Sequence, residues 1–538
     1  MTYSITSECI QCDSCLSQCP VKAIKIVDEQ YWIDPTLCNG CEGYSDTPLC
    51  LNICPVDSPV PFQAKKGRYK KQDRPALSPE LFLNGKNNSF ASAIVIWELC
   101  NLLAQRRSLP WQSDADGILF YERHVKRGQG VLKFWIADNH EQESDVLPLK
   151  YAEAETAIAR LDIRAACLHL LYSAYATGVD KPWEEEFVIS DRQIEQYLGM
   201  DKRKDLSKLE KLSLIRELAL QPCSIFTSIE WPRQGRIPEF SMMCDRIWHM
   251  VAIHHHFEDD ELGCKHLVGL TFRVRAGQWA QHFLNQQEHW NRAAYYQYGH
   301  LPRCLLPEVM SHWQQHEGAI RMLLWLLFKT KMGHDQPIMT QTLMRIAYGE
   351  ERIAQAYTSS VLQKRLLKTF EHDLEALYYY GVKPVFDPES YPVEIQPLWA
   401  KLAELPDDAE DALNFWTEDG SQQQRLTDSA PRGKWKRVMN GRFLQFELPD
   451  TWDVKRSASS KNKKQSGNRR KVGKTNLNTQ SDFSKDVITS ARKKLKLSQR
   501  LLAEKIGKSQ SWIRDIENGR FQPSTADQKI LYEVLKIN

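Results

Sequence analysis

The stretch that decides the fold of this chain is Cys9-Ile10-Gln11-Cys12-Asp13-Ser14-Cys15-Leu16-Ser17-Gln18-Cys19-Pro20, close to the N-terminus. A second run with a longer middle gap follows it, Cys38-x2-Cys41-x8-Cys50-x3-Cys54-Pro55. The two runs contain eight of the 14 cysteines in the 538-residue chain, and the other six are scattered. Residues 1–62, which we call the head, therefore differ from the rest of the chain in their content of potential metal ligands.

The spacing of these cysteines predicts two [4Fe-4S] clusters. Two-residue gaps let successive thiolates point at one cubane from a tight loop, and the fourth cysteine of such a run, followed by Pro, ligates the other cluster. This rule assigns cluster 1 to Cys9, Cys12, Cys15 and Cys54, and cluster 2 to Cys19, Cys38, Cys41 and Cys50. The first run has the bacterial ferredoxin spacing, so residues 23–26 and 31–34 are expected to be short strands of a ferredoxin-like β-and-α fold.

Disulfides and structural zinc are the alternatives for these cysteines. Disulfides are disfavoured in a chain that lacks a signal peptide, and zinc sites usually pair two Cys-x2-Cys hooks rather than repeat a four-cysteine run ending in Cys-Pro. A head of this size folds securely only with its metal, so loss of the clusters should unfold it.

The composition is that of an ordinary globular protein, with 42% hydrophobic and 26% charged residues. No apolar stretch reaches the roughly 18 residues of a membrane span, and the N-terminus has no signal-peptide pattern, so we expect a cytoplasmic protein without a membrane partner. The charge is segregated, since residues 451–538 contain 21 Lys and Arg against 8 Asp and Glu. Basic tails of this kind usually bind polyanions.

The tail contains two different segments. Residues 451–481 are basic and almost without apolar side chains, which predicts a flexible linker. Beyond it, Ser498 is a natural N-cap for one helix, Gly507 suits the turn, and Ser509 can cap a second helix that ends at 518–519. Two short helices around a Gly turn predict a helix-turn-helix, whose second helix enters the major groove of double-stranded DNA.

The tail resembles the Cro/C1 class of helix-turn-helix domains. The resemblance rests on Leu497-Ser498-Gln499, Leu502-Ala503-Glu504-Lys505-Ile506-Gly507 and Ile513-x2-Ile516-Glu517-Asn518-Gly519. It implies that Ala503, Ile513 and Ile516 pack between the helices. It also implies a set of DNA-contacting residues: Gln499, Lys508, Ser509, Gln510, Ser511, Arg514, Asp515, Asn518 and Arg520. The alternative is a small helical domain that docks onto another protein.

The middle of the chain carries no signature of comparable strength, but two segments share an order of elements. The first is predicted to contain a helix at 164–176, a helix at 192–199 that Ser190 caps, a basic helix at 202–212 and a strand at 225–231. The second is predicted to contain helices at 319–329, 340–348 and 361–377 and a strand at 382–386. This order is that of a winged-helix module, and the pairing resembles plasmid replication initiators at the level of fold only.

A histidine-rich stretch is the other candidate metal site, with His249, His254, His255, His256, Cys264 and His266. Consecutive histidines point in different directions and no ligand spacing repeats, so we expect no metal there. The middle also lacks a Walker motif, a dinucleotide-binding glycine fingerprint and a recognisable Ser/His/Asp arrangement, which favours a protein that is not an enzyme.

The predicted architecture is multidomain and mostly α-helical with α+β parts. Its divisions are a two-cluster head at 1–62, a connecting region at 63–160, winged-helix modules at 161–300 and 301–450, a basic linker at 451–481 and an all-α helix-turn-helix at 482–538.

The combination of modules, with residues 7–15 and 38–44, resembles the cyanobacterial CnfR/PatB regulators of nitrogen fixation. That resemblance implies an oxygen- or redox-responsive activator of nitrogenase genes that binds promoter DNA, with RNA polymerase and a second copy of the chain as candidate partners. An iron-sulfur redox enzyme or electron-transfer protein localised to DNA, and a redox-responsive repressor, remain alternatives.

Overall fold

The computed structural model describes residues 2–27, 30–35, 37–62, 75–83, 87–91, 93–125, 128–137, 148–233, 238–259, 264–284, 298–332, 336–403, 413–414, 417, 433–449, 485–495, 497–508, 510–517, 523 and 525–536. The chain divides into two compact units. The first comprises Met1–His334, Met344–Gln355 and Leu448–Val454, and the second Asp335–Leu343, Ala356–Glu447 and Lys455–Asn538. Within the described ranges, no helix has both the length and the hydropathy needed to cross a bilayer.

The head is built from short elements around a small core. They are β1 (Tyr3–Ile5), β2 (Ile24–Val27), β3 (Gln30–Ile33), α1 (Leu49–Ile53) and β4 (Pro59–Pro61). β1 pairs antiparallel with β4, and β2 pairs antiparallel with β3, which confirms the two predicted strands to within one residue. Ile5, Ile24 and Ile33 form the core together with the buried Cys50. Few side chains fill this core, as expected for a domain that depends on bound metal.

The first unit continues with an open sheet and its covering helices. Its elements are β5 (Asn88–Ala91), α2 (Ile94–Gln105), β6 (Gln112–Ser113), β7 (Leu119–Val125), β8 (Gly130–Ile136) and α3 (Tyr151–Arg160). All of α2 is buried, and it packs against helices later in the chain. β6, β7 and β8 form one side of a five-stranded sheet completed by β10 (Ile225–Trp231) and β11 (Phe240–Arg246).

A three-stranded sheet with three helices forms the centre of the first unit. The helices are α4 (Ala165–Thr177), α5 (Asp191–Tyr197) and α6 (Lys208–Leu220), and the strands are β9 (Phe187–Ser190), β12 (Trp248–Asp259) and β13 (Lys265–Ala276). The strand order is β12-β13-β9, with all pairs antiparallel. The predicted cap is confirmed, since the Ser190 hydroxyl accepts from the Gln193 amide and the Gln193 side chain bonds back to Ser190.

His169 on α4 illustrates how this core accommodates a polar group. Trp248 Nε1 donates to His169 Nδ1 at 3.0 Å, so Nε2 carries the proton and donates to the Ile96 carbonyl at 2.8 Å. Burial lowers the pKa of His169 to about 4, so the ring is neutral at pH 7.

One prediction for this region is wrong in detail. The basic helix expected at 202–212 begins at Lys208 and runs to Leu220, because Ser207 and Glu210 form a capping box that fixes the start. Only a 3₁₀ turn, Met200–Lys202, lies at the predicted start. The strand predicted at 225–231 is confirmed as β10, which pairs with β8 and β11 and lies in a different sheet from β9.

The remaining elements before the second sheet are α7 (Trp279–Phe283), β14 (Tyr298–Leu301), α8 (Leu305–His312), α9 (Glu317–Met332), α10 (Thr340–Tyr348) and α11 (Glu350–Thr358). β14 pairs with β5. The helices predicted at 319–329 and 340–348 are confirmed as α9 and α10, whereas α11 was not predicted.

The second unit contains another three-stranded sheet. Its strands are β15 (Ile338–Met339), β16 (Lys383–Phe386) and β17 (Arg442–Glu447), in the order β15-β17-β16, and its helices are α12 (Ser360–Tyr379), α13 (Leu398–Ala403) and α14 (Lys434–Asn440). The predicted helix at 361–377 and strand at 382–386 are confirmed. In this sheet, as in the sheet β12-β13-β9, the strand that comes last in the sequence lies between the other two strands.

The C-terminal helices are α15 (Lys485–Lys494), α16 (Gln499–Ile506), α17 (Gln510–Glu517) and α18 (Thr525–Leu535). Their shared core contains Ala503, Ile513 and Ile516, as the Cro/C1 resemblance implies. The Ser498 cap is confirmed by its bond from the Leu501 amide, and Gly507 has the left-handed φ of 71° that the turn requires. The predicted linker at 451–481 lies outside the described residues.

Candidate metal centres and nucleic-acid interface

The first cysteine set surrounds a small cavity in the head. Cys9, Cys12 and Cys15 approach it from the loop after β1, and Cys54 approaches it from the end of α1. Ile5, Tyr31, Val56 and Pro59 complete the lining with apolar surface. The structure therefore brings together the four cysteines assigned to cluster 1.

The second cysteine set surrounds a separate small cavity. Its lining contains Cys19, Cys38, Cys41 and Cys50 with Tyr3, Val21, Ile24 and Ile33. Each four-cysteine run therefore sends its last member to the other cavity, which is the crossed arrangement that the spacing rule requires. Ligation of iron by these eight residues stays a prediction.

The loop backbone explains how closely spaced cysteines reach one cavity. Gln11 and Asp13, on either side of Cys12, have φ of 56° and 59°, and Cys41 has φ of 64° after Gly40 at 70°. Non-glycine residues in the left-handed region are uncommon and concentrate at functional sites. These turns curl the chain around each cavity, so three side chains of a short run point inward.

Hydrogen bonds to sulfur support the fit of an iron-sulfur cluster. The amides of Ala23, Leu49 and Ser58 donate to the Sγ atoms of Cys19, Cys41 and Cys54 at 3.3, 3.5 and 3.4 Å. Such bonds to cluster sulfurs help to set the reduction potential. They also offset part of the negative charge that four thiolates bring to one site.

The raised pKa of the Cys50 thiol also indicates that this site suits a bound cation. Burial, together with the thiolates of Cys38 and Cys41, raises the pKa of the Cys50 thiol to about 11. Without a bound cation this group is protonated at neutral pH, whereas a coordinating metal keeps a thiol deprotonated.

The histidine-rich stretch does not gather into a metal site. Its side chains are spread along β12 and β13, where His256 bonds the Thr271 hydroxyl at 2.7 Å and His249 pairs with Asp245 at 3.2 Å. Among the described residues, no three His, Cys, Asp or Glu side chains converge on a position suited to a single metal ion.

The head docks onto the β12-β13 hairpin and α6, a contact that the sequence did not reveal. Trp32 of β3 is 2% exposed, and its ring centroid lies 4.6 Å from that of Phe257 and 5.5 Å from that of His255. The Phe62 ring lies 5.3 Å from the His266 ring. Aromatic pairs in such tilted and edge-on arrangements add to the free energy of burial. We call this contact the docking face.

A buried ion pair lies within the docking face. Arg216 Nη1 of α6 approaches Asp34 Oδ2 at 3.2 Å, and the exposed fractions of the two side chains are 9% and 0%. Lys25 Nζ lies 3.7 Å from the same carboxylate oxygen. The Asp34 carbonyl accepts from the Cys38 amide at 2.9 Å, so this ion pair adjoins the turn that carries a cluster 2 cysteine.

The structure describes the side chains of some of the predicted DNA-contacting residues of the tail and not those of the others. Lys508 is partly exposed, pairs with Asp527 at 3.0 Å and lies 5.3 Å above the Trp512 ring. Gln510 is largely buried at the start of α17, and Arg514 on the same helix is half-buried. The positions that lie outside the described residues, or whose side chains do, are Ser509, Ser511, Asp515, Asn518 and Arg520.

A buried charge network holds the C-terminal helices together. Arg492 of α15 forms a double hydrogen bond with Glu517 of α17, from Nε at 2.7 Å and Nη2 at 3.0 Å, and donates to the Leu497 carbonyl at 2.8 Å. Gln499, one of the predicted DNA-contacting residues, donates its side-chain amide to Glu517 at 2.8 Å. Contact of Gln499 with DNA stays a prediction. The sequence signal for this network was weak, because the charged partners lie 25 residues apart.

Comparison with known proteins identifies both ends of the chain. The family model HTH_3, described as a helix-turn-helix, matches residues 488–537. A Cro/C1-type helix-turn-helix is therefore present at the C-terminus, and it binds DNA in proteins of this type.

The head matches small iron-sulfur proteins. It is 47% identical over 57 residues to Ferredoxin-2 of Chlorobaculum tepidum, a match that covers 92% of that protein and 11% of this chain. The N-terminal head belongs to the family of small bacterial ferredoxins. This ferredoxin head is also 54% identical over 56 residues to an uncharacterized ferredoxin-like protein of Haemophilus influenzae, of which it covers 65%, somewhat less than two thirds.

A further relative is a "ferredoxin-like protein in nif region" of Trichormus variabilis, 46% identical to the ferredoxin head over 58 residues. The match covers 50% of that protein and 10% of this chain. A solved structure of domains 2 and 3 of RctB covers 48% of this chain at 11% identity, with a TM-score of 0.24, which is too low to indicate a shared fold.

Proposed function

We propose that this protein is an iron-sulfur-dependent transcriptional activator that binds promoter DNA through its C-terminal helix-turn-helix. Its ferredoxin head holds two [4Fe-4S] clusters on the eight assigned cysteines. Its targets are nitrogen fixation genes, and its signal is low oxygen or the redox state of the cell. The chain contacts RNA polymerase at the promoter and acts as a homodimer where the operator is palindromic.

The observation that carries the proposal is the docking face. Trp32 and Asp34 of the head, next to the cluster 2 loop, are buried against the middle of the same chain and are not available to an external electron acceptor. Two contacts connect the cluster 2 loop to α6. The Cys38 amide donates to the Asp34 carbonyl, and the Asp34 carboxylate pairs with Arg216 of α6. A change at cluster 2 therefore alters a contact that positions α6.

We propose that the middle contains two winged-helix modules. Support comes from the shared order of elements and from the two three-stranded sheets, each of which places its last strand between the other two. In the first module the hairpin β12-β13 is the wing, and α6 is the helix before it. The ferredoxin head then rests on both elements, so the first module relays the state of the head.

Bound clusters supply a redox-active centre that oxygen destroys. The chain's own residues transmit the change: the cysteine loops hold their turns around an intact cluster, Trp32 holds the head against the hairpin, and Asp34 holds it against α6. This is a local metal event coupled to a larger conformational element. The nitrogen fixation target rests on the resemblance to CnfR/PatB regulators and on the relative whose name places it in a nif region.

Replacing Arg216 by Met tests this coupling. The change keeps most of the side-chain volume but removes the guanidinium from the buried Asp34 carboxylate, which Lys25 Nζ still approaches at 3.7 Å. Breaking a buried pair costs about 3–5 kcal/mol, and we expect the lower end because Lys25 remains. The variant should keep its iron, show faster amide exchange in β3 and β12, and fail to raise nitrogenase transcripts under low oxygen.

The matched control is Arg273→Met, because Arg273 pairs with Glu186 at the surface with 42% of its side chain exposed. Exposed pairs contribute about 0–1 kcal/mol, so this variant should behave as the parent protein. Normal activation by Arg216→Met would contradict the coupling. Nitrogenase transcripts that do not depend on the parent protein would show instead that the target genes are different.

A further inference from the structure

The helix α12 carries an exposed basic face far along the chain from the helix-turn-helix. Lys364, Arg365 and Lys368 are all exposed and lie within about one and a half helical turns. No described acidic side chain forms an ion pair with any of the three. Three unneutralised cations at this spacing form a concentrated positive patch.

The acidic side chains farther along α12 do not neutralise this patch. Glu371 pairs with Lys434 of α14 at 2.6 Å, and Glu375 lies 3.5 Å from His372. Ser360 and Gln363 lie beside Lys364 and Lys368 along a broad groove between α12, α13 and α14. The same face thus presents cations together with neutral hydrogen-bond donors, which is the set of groups that contacts phosphate oxygens.

The helix α6 of the first unit differs from α12, because its basic side chains form ion pairs within the unit. Like α12, α6 is a long helix that precedes strands of a sheet, but its basic side chains are paired with carboxylates. Lys208 bonds Asp191 at 2.8 Å and Glu195 at 3.0 Å, and Lys211 bonds Glu195 at 3.1 Å. Arg216 is buried against Asp34. The cations of α6 thus serve internal contacts, whereas those of α12 are available to an external polyanion.

We propose that α12 is a second DNA-contacting surface, which binds the phosphate backbone of double-stranded DNA through Lys364, Arg365 and Lys368. It acts in addition to the C-terminal helix-turn-helix, which supplies sequence recognition. Contacts to phosphate carry no sequence information but raise affinity and fix orientation. The two surfaces together let one chain hold a longer stretch of DNA than the helix-turn-helix alone contacts.

The test is the triple variant Lys364→Ala, Arg365→Ala, Lys368→Ala in the full chain, purified without air and titrated with a mixed-sequence DNA duplex at increasing potassium chloride. Each phosphate contact contributes about 0.9 to the slope of log affinity against log salt, so the slope should become less steep by about 2 to 3. The three side chains are exposed, so amide exchange of α12 should match that of the parent protein.

The control is Arg107→Ala, Lys150→Ala, Arg160→Ala, which removes three exposed cations from the first unit. Its slope should equal that of the parent protein. An unchanged slope in the α12 variant would overturn the proposal, as would an equal change in the control, which would indicate a general effect of net charge. The proposed function is separate, since it fails when the parent protein selects no discrete promoter fragments, whatever the salt slope.

Discussion

Replacing Cys41 by Ser is expected to remove cluster 2 and to abolish activation in cells. Iron in the purified protein should fall from about eight to about four per chain, because each cubane contains four irons. Only three of the four cysteine ligands then remain around the cavity, and burial, which raises the pKa of the Cys50 thiol, favours its protonated form when no metal is bound. Because Cys38 adjoins Asp34, the docking face should loosen as well.

Cys12→Ser tests cluster 1 in the same way, and it too should abolish activation. Residues 482–538 expressed alone should still bind DNA, since the four C-terminal helices have their own core. The control is Cys244→Ser, the same change at an exposed cysteine outside both cavities, which should keep about eight irons. Normal activation by both cluster variants would contradict a cluster-dependent switch.

Replacing Glu517 by Ala is expected to unfold the helix-turn-helix. The change leaves Arg492 buried, with 2% of its side chain exposed, and without the carboxylate that it pairs with. Removing one partner of a buried pair costs about 3–5 kcal/mol. A domain of this size has a free energy of unfolding of only a few kcal/mol, at about 0.05–0.15 kcal/mol per residue. Amide exchange in α15 to α18 should therefore lose most of its protection, and binding to promoter fragments should be lost.

The control for this variant is Glu504→Ala, the same substitution at an exposed position of α16. Surface substitutions of this kind usually change stability by less than about 0.5 kcal/mol. Native protection of α17 in Glu517→Ala would contradict the structural role assigned to the buried network.

The parts of this protein that could be predicted from sequence are those fixed by local rules. Cysteine spacing determines which side chains can face one cluster, and the structure gathers the eight residues into the two sets that the spacing assigned. Ser190 and Ser498 cap their helices as predicted, because a cap depends on three or four neighbouring residues. The resemblance to Cro/C1 domains likewise implied that Ile513 and Ile516 lie in the core.

The parts that could not be predicted depend on distant pairs. Arg216 lies 182 residues from Asp34, and nothing in either neighbourhood marks them as partners. The basic composition of residues 202–204 suggested a helix, but the capping box at Ser207 sets the start of α6. The pairing of β10 was also missed, because a strand pattern indicates the element and not the sheet that it joins.

The most direct test of the account is the recovery of genomic DNA by the protein purified without air, before and after exposure to air, with iron and sulfide measured in both samples. The account predicts about eight irons in the protected sample, as two [4Fe-4S] clusters require. It also predicts discrete promoter fragments from that sample alone. Equal recovery of the same fragments after the iron is lost would contradict control of DNA binding by the clusters, and recovery of no discrete fragments from either sample would contradict the assignment as a promoter-binding regulator.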